Sequence, residues 1–305
     1  MRTVIVTRSR SGCAAGRPGR GGFTLIELLV VISVLAVLAA LLVPAMASSG
    51  IDSAAAKCMS NLRQVSAAWQ MYADENRSVF AYNEEGGNPP AWVFGIEDYS
   101  GGIYNYYTNY LLNPQFAQLG PYVKTAALFK CPSDVSLSFG THGIPRMRSI
   151  SMNAAVGLGS GGLSDGQGAW LPSIYGNFGV IGGPYSCYFK EQDLGRPLPA
   201  GLFLLLEEHP DSINDGSFAF EMPASPVATV WVDIPAKYHD NACNFSFVDG
   251  HVEIHKWQMP QSIPNVTLSG FMSPASIHNN PDVWWVGTHA SARTDGQPNP
   301  FPVEN

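Results

Sequence analysis

The architecture of this chain follows from residues 21–44, GGFTLIELLVVISVLAVLAALLVP. The stretch carries one charged residue, Glu27, and the 24 residues that follow Glu27 carry none. At about 1.5 Å of rise per residue, such a run is long enough for a helix that crosses a bilayer. We therefore predict a transmembrane helix over residues 23–47. We also predict that Pro44 bends it, because proline cannot donate a hydrogen bond to the helix ladder.

Charge is distributed unevenly around this helix. The chain has 305 residues, 17 of them basic and 24 acidic, for a net charge of −7. Residues 1–22 contain no acidic residue. Arginines on the N-terminal side predict an N-in, C-out orientation, and an acidic remainder excludes a nucleic-acid binder, which needs a basic face. The arginines are Arg2, Arg8, Arg10, Arg17 and Arg20.

An ordinary secretory signal is the alternative interpretation of this segment. Ala45-Met46-Ala47 before Ser48 has the small-residue form that signal peptidase cuts. Two features oppose it. The apolar run exceeds the roughly 7–15 residues of a signal-peptide core, and a carboxylate at bilayer depth costs on the order of 2–3 kcal/mol. A signal peptide therefore does not explain why the apolar segment contains the charged residue Glu27.

Gly22, Phe23, Thr24 and Glu27, followed by an apolar helix with Pro44, resemble the N-terminus of type IV pilins and type II secretion pseudopilins. In that family a prepilin peptidase cuts between the glycine and the phenylalanine. The new terminal phenylalanine is methylated, and the glutamate at the fifth mature position matters for assembly. The resemblance implies that residues 1–22 are a cytoplasmic leader and that Phe23 becomes the methylated N-terminus.

The resemblance also implies a structural role and not an enzyme. We expect a subunit of a type II secretion pseudopilus or a type IV-like filament, in the inner (cytoplasmic) membrane as a single-pass protein. Its head would lie in the periplasm or on the cell surface. The implied partners are a prepilin peptidase, other pilin or pseudopilin subunits, an inner-membrane secretion platform and the lipid bilayer.

A second class stays open, namely a membrane-anchored or secreted envelope module that binds glycans and uses the same export route. It would use exposed aromatic side chains, although such a cluster more often packs on its own domain. The candidates are Trp92, Phe94, Tyr99, Tyr104, Tyr106, Tyr107 and Tyr110.

Residues 48–305 are expected to form one globular head of the α+β class. Apolar residues at helical spacing predict a helix over 50–76, which would continue the transmembrane helix as one long bent helix. Residues 77–200 are rich in loops, residues 201–258 are rich in strands, and the tail 259–305 is expected to wrap the surface. A run of strands after a helix predicts an antiparallel sheet. The helical stripe is Ile51, Ala55, Cys58, Leu62, Val65, Trp69 and Tyr72.

Local patterns predict individual elements within the head. A short helix is expected over 121–130 and a strand over 185–189. The stronger strand signals are at 202–206, 217–220, 227–232, 243–248 and 251–256.

The strongest local signal is Asp249-Gly250 between two alternating strands, which is typical of a two-residue type I′ hairpin. That register places Phe247 opposite Val252. Nine residues separate His239 from Asp249-Gly250, and this H-x9-DG pattern resembles the prepilin-type processing-associated region of pilin-like proteins. We expect His239 and Asp249 to form a structural clamp between the preceding loop and the hairpin.

Two groups of side chains could ligate metal ions. Because side chains alternate between the two faces of a strand, three residues of the second hairpin strand share one face. They could bind the metal ion of a hydrolase. A solvated strand face is favoured instead, because no HExxH-type spacing supports zinc. The second group has oxygens suited to calcium, although a turn held by Asx hydrogen bonds is favoured. We expect no cofactor, with calcium as the one alternative left open. The first group is His251, Glu253 and His255, and the second is Asp211, Asn214 and Asp215.

Four cysteines remain after removal of the leader, and an oxidising envelope permits three pairings among them. Cys58 on the helical stripe and Cys131 before Pro132 form the preferred pair. Their disulfide would join the helix to the rest of the head. Buried free thiols are the alternative.

Overall fold

The computed structural model describes residues 24–35, 53–83, 90–157, 185–222, 227, 229–270 and 275–299. The chain divides into two compact units, residues 1–50 and 51–305.

The first unit contains helix α1, residues 25–35, which begins directly after Thr24. Leucine, isoleucine and valine dominate it. Among the described residues, no helix combines the length and the apolar character that a bilayer span requires. Residues 36–52 lie outside the described part of the chain. The single bent helix and its bend at Pro44 therefore stay predictions.

The second unit begins with helix α2, Ser53–Glu75. Its buried face contains the predicted stripe from Ala55 to Trp69, which confirms the amphipathic assignment. The helix ends because Arg77 adopts the left-handed conformation, with φ of 61°. The Ser78 N–H then donates to the Ala73 carbonyl at 2.9 Å, which closes a Schellman-type cap.

The described residues form seven strands: β1 (Ile150–Asn153), β2 (Phe203–Glu207), β3 (Ser217–Phe218), β4 (Thr229–Trp231), β5 (Ala242–Phe247), β6 (Val252–Lys256) and β7 (Ala275–Ile277). Five of them make the main sheet, in the order β3-β1-β2-β5-β6. Its pairs are antiparallel except β1 with β3. The predicted α+β class with a mainly antiparallel sheet is confirmed.

The main sheet is covered on both faces at its centre. Helix α2 packs on β2, β5 and β6. Every residue of β2 and β5 is buried, whereas β6 is only partly buried. Burial on both faces accounts for the apolar run of β2, and β5 also buries the polar residues Asn244 and Ser246. Strands β4 and β7 pair in a separate two-stranded sheet. The remaining α-helices of the described residues are α3 (Asn109–Leu112) and α4 (Pro281–Ala290).

The predicted hairpin register is wrong by one residue. Val252 lies opposite Ser246 and not opposite Phe247. Residues 248–250 form a three-residue connection, in which Gly250 has a φ of 89° while the aspartate before it keeps an ordinary negative φ. A type I turn followed by a left-handed glycine needs positive φ only at the glycine. The Asp-Gly sequence is therefore compatible with this three-residue connection as well as with the predicted two-residue turn.

The tail 259–305 contains more structure than predicted. It supplies β7 and α4, and α4 buries Val283 and Val286 instead of wrapping the surface as an irregular segment. The short helix predicted over 121–130 is limited to a 3₁₀ helix, Ala126–Phe129. The strand predicted over 185–189 is wrong. Residues 185–189 form single β-bridges and no strand.

Candidate functional site

Helix α1 begins with a reciprocal capping arrangement between Thr24 and Glu27. The Thr24 N–H and hydroxyl both donate to Glu27 Oε2 at 2.8 Å, and the Glu27 N–H lies 3.3 Å from Thr24 Oγ1. This is a capping box, in which two otherwise unpaired groups of the first helical turn satisfy each other. Gly22, Phe23 and Pro44 lie outside the described residues, so cleavage and the kink stay predictions.

The described part of α1 presents apolar side chains in every direction. All its residues are exposed, and the exposed fraction of its large apolar residues runs from 47% for Val31 to 78% for Leu25. A helix with apolar side chains on every face is stable only where lipid or protein covers those side chains. Glu27 is the single ionisable group on this surface.

A buried group of four side chains lies where α2 packs on the main sheet. Cys58 belongs to α2, Glu207 ends β2, and Cys131 and His239 come from loops. The potential ligand atoms of these four residues all lie within 4.8 Å of one another. His239 Nε2 is 3.0 Å from Glu207 Oε1 and 3.5 Å from Cys131 Sγ. We call these four residues the head cluster.

The members of the head cluster shift one another's pKa values. Burial disfavours the charged form of His239, but its bonds to Cys131 and Glu207 outweigh burial and raise its pKa to about 10. Burial also opposes ionisation of Glu207. The bond to His239 and the N–H of Asn244, at 2.9 Å, nevertheless hold its pKa below the usual range. The cluster therefore favours a carboxylate beside a protonated imidazole.

The two cysteines of the predicted disulfide lie together in the head cluster. Hydrogen bonding between them raises the pKa of Cys58 and lowers that of Cys131. Both are free thiols in the structure, so the disulfide is not formed here. Its formation in the oxidised protein stays a prediction.

The clamp between His239 and Asp249 is wrong. His239 precedes β5 and is buried in the head cluster, whereas Asp249 follows β5 and bonds His251 Nδ1 at 2.6 Å. The six-residue strand β5 separates them by about 20 Å. Each half of the motif has its own role, because His239 joins its loop to β2 and Gly250 supplies the positive φ of the turn.

The residues considered for calcium form a turn closed by protein donors. Asp215 Oδ1 accepts from the Ser217 N–H at 2.8 Å, and Asn214 Oδ1 accepts from the Asp215 N–H at 2.6 Å. A cation bound through Asp211 would have to displace the donors of its carboxylate. Those donors come from Tyr99, Thr267 and Leu268.

The hairpin residues considered for a hydrolase metal site have different neighbours. The His251 ring stacks on Phe247 at 4.2 Å, and the His255 ring stacks on Trp285 of α4 at 3.9 Å. His255 Nε2 also lies 3.5 Å from Asp282 Oδ1. Within the described ranges, the head cluster is the one place where three or more histidine, cysteine or acidic ligands converge.

His289 of α4 predicts a measurable pH dependence of stability. Its Nδ1–H donates to the Trp285 carbonyl at 2.7 Å, and burial lowers its pKa. A lowered histidine pKa stabilises the fold fully above the unfolded value, about 6.5, and this contribution is lost as pH falls through the folded pKa. We expect the melting temperature of wild type to drop more between pH 7 and 5 than that of His289→Gln. Exposed His278→Gln is the control and should follow wild type. Equal pH dependence in wild type and His289→Gln would contradict the prediction.

Four of the seven aromatic residues considered for glycan binding pack against one another and against Phe116. Adjacent ring centroids in their cluster lie 5.0–5.9 Å apart. Trp92 is buried and donates from Nε1 to the Gly216 carbonyl at 3.1 Å. Tyr104 and Tyr107 have the exposed rings of this group. The cluster is a loop packed on its own domain. Its rings are those of Phe94, Tyr104, Tyr107, Tyr110 and Phe116.

Two sets of buried polar residues could not be found from a local sequence pattern. The first is Glu207 with His239, because Glu207 lies in an apolar strand and its distance from His239 in sequence matches no known motif. Glu97 is fully buried, with Oε2 3.1 Å from Arg146 Nη2 and Oε1 accepting the Arg148 N–H at 2.9 Å. Low overall charge and an arginine pair next to a buried strand are the weak signals that could have indicated this second group.

The comparisons with known proteins agree with the N-terminal interpretation. A family model described as the prokaryotic N-terminal methylation motif matches residues 17–43. No curated protein and no solved structure matches the chain. The match covers the last residues before Phe23 and most of the apolar stretch, and it supports the interpretation as a type IV pilin-like or pseudopilin precursor.

Proposed function

We propose that this chain is a structural subunit of a pilin-like assembly, made as a precursor and processed by a prepilin peptidase. The observation that carries the proposal is the combination in α1 of an apolar surface on every side with one carboxylate in the first turn. The matched methylation motif at residues 17–43 supports the same conclusion. The role is mechanical and not catalytic.

The apolar surface of α1 gives the proposal its mechanism. Before assembly, lipid covers this helix, and the arginines of residues 1–22 keep the leader in the cytoplasm. After cleavage, α1 of one subunit packs on α1 of the next. Contacts of this head-to-tail kind do not close on themselves, so they generate a helical filament. An inner-membrane secretion platform would extrude it as a type II secretion pseudopilus or a type IV-like filament.

Glu27 has a specific part in this assembly. In the precursor its carboxylate is bonded by Thr24. Cleavage after Gly22 creates an ammonium group on Phe23. The ammonium group of a neighbouring subunit can then pair with Glu27 in apolar surroundings, where an unpaired carboxylate is costly. The pair would set the axial register between subunits.

The proposed processing is tested by a change at the cleavage site. Gly22→Val places a β-branched side chain where the peptidase approaches the backbone, so we expect the precursor to accumulate. Gly21→Val is the matched control and should be cleaved. The measurement is an immunoblot of membrane fractions that resolves precursor from mature chain, with a host lacking prepilin peptidase as reference. Normal shortening of Gly22→Val, or shortening in that host, would contradict the proposal.

A further inference from the structure

We propose that the head cluster is a structural zinc site, with Cys58, Cys131, Glu207 and His239 as its four ligands. Two sulfurs, one imidazole nitrogen and one carboxylate oxygen converge within 4.8 Å, and all four residues are buried. This site does not depend on the proposed assembly, because its ligands all belong to the head.

The distances within the cluster suit a tetrahedral zinc ion. Zinc–sulfur bonds of about 2.3 Å and zinc–nitrogen or zinc–oxygen bonds of about 2.0–2.1 Å place sulfur and nitrogen ligands about 3.6 Å apart. They place nitrogen and oxygen ligands about 3.3 Å apart. The corresponding distances are 3.5 Å from Cys131 Sγ to His239 Nε2 and 3.0 Å from His239 Nε2 to Glu207 Oε1. These two distances lie within a few tenths of an ångström of the tetrahedral values, and every other pair of ligand atoms lies within 4.8 Å.

The donor set selects zinc among the common metals. Thiolates do not suit magnesium or calcium, which prefer oxygen, whereas a mixed sulfur, nitrogen and oxygen set is typical of zinc. Four protein ligands without access to water are typical of a structural site. The Asn244 N–H donates to Glu207 Oε2 at 2.9 Å, which leaves Oε1 directed at the other ligands. Such an outer hydrogen bond orients a ligating carboxylate.

The positions of the ligands in the fold indicate what the ion does. They come from helix α2, strand β2 and two loops that are distant in sequence. Zinc would therefore hold α2 against the main sheet and fix the loop that contains His239. Because a structural ion binds the folded state far better than the unfolded one, its binding adds directly to stability. The H-x9-DG histidine acquires a role as a ligand.

A disulfide between the two cysteines is the competing state. It would use both sulfurs and leave no zinc site. Zinc accounts for all four converging groups, whereas a disulfide accounts for two. The experiment must therefore measure metal content and thiol state on the same sample.

The test uses the full chain purified from membranes in detergent, without chelators or metal-affinity resin. We expect about one zinc ion per chain by elemental mass spectrometry and reduced Cys58 and Cys131 by alkylation mapping. Exchange of zinc for Co²⁺ should give the intense visible bands of tetrahedral cobalt and a near-ultraviolet thiolate band. Cys58→Ser and His239→Ala should lower bound zinc at least tenfold. Cys187→Ser, outside the cluster, should keep it.

Three results would overturn the inference. The first is a wild-type chain without metal that also shows no cobalt spectrum on addition of Co²⁺. The second is a Cys58–Cys131 disulfide in the native chain. The third is full zinc content in Cys58→Ser. The wild-type measurements decide the question even where a variant fails to fold.

Discussion

Glu27→Ala is expected to be processed normally and to disappear from assembled polymer, with at least tenfold less chain in the polymer fraction. The variant keeps the apolar surface of α1 and removes its single ionisable group. Without the carboxylate, neighbouring helices lose the charge pair that sets their register, and slippage along an apolar surface costs little. The measurement is the amount of chain in sheared or cross-linked polymer, relative to mature chain in the membrane.

Two control variants separate the proposed role of Glu27 from its local role as a cap. Ser33→Ala removes another polar group of α1, whose hydroxyl donates only to the Val30 carbonyl within the helix at 2.9 Å, and it should assemble. Thr24→Val removes the two hydroxyl bonds of the capping box but keeps the carboxylate and the backbone N–H that donates to it, at a cost of about 1 kcal/mol to the helix. It should assemble in substantial amounts. If Thr24→Val were lost from the polymer as completely as Glu27→Ala, the role of Glu27 would be to cap the helix. If Glu27→Ala assembled, the proposed charge pair between subunits would be wrong.

Arg146→Ala is expected to destabilise the head more than any surface change. Arg146 is buried, and its guanidinium pairs with Glu97 at 3.1 Å and donates to the carbonyls of Pro210 and Ile213 at 2.7 and 3.0 Å. Burial raises the pKa of Glu97, and the adjacent guanidinium groups oppose that shift. Removing one partner of a buried pair costs about 3–5 kcal/mol, because the other is left without compensation.

The effect of Arg146→Ala is measured as a melting temperature. For a domain of this size we expect a decrease on the order of 10 °C. Lys256→Ala is the control, because its pair with Asp240 is 3.0 Å long but its side chain is 70% exposed. Exposed pairs contribute little. Arg146→Lys should recover only part of the loss, because an ammonium group lacks the planar fork. Equal melting of Arg146→Ala and Lys256→Ala would contradict this account of the buried pair.

Local periodicity was sufficient to predict the main elements of the head. The stripe that contains Cys58 and Trp69 predicts α2, because the 3.6-residue period is visible without tertiary information. Alternation and apolar runs predict β2, β5 and β6 to within two residues. The hairpin register failed because Asp-Gly suits two turn types that differ by one residue. Helix α4 has a recognisable start in the sequence. Asn280 caps the helix by accepting from the Asp282 N–H, and Pro281 occupies the first helical position. Because the tail is rich in Pro and Asn throughout, this helix start does not stand out.

The head cluster could not be predicted, because it depends on tertiary packing. Cys58 and Cys131 were expected to meet, but Glu207 and His239 reach them only through the pairing of β2 with β5. The pairing of β2 with β5 cannot be read from the spacing of residues in the sequence. The N-terminal motif is the opposite case, since Gly22, Phe23 and Glu27 are recognised by their order along one segment. The matched methylation motif includes that segment.

The most direct test of the pilin-like account is mass spectrometry of the N-terminus of the mature chain from the cells that produce it natively. The account predicts an N-terminal peptide that begins at Phe23 and carries a methyl group on its amine. A peptide that begins at Ser48 would mean release by an ordinary signal peptidase, and an intact Met1 terminus would mean no processing. Either result would contradict the account.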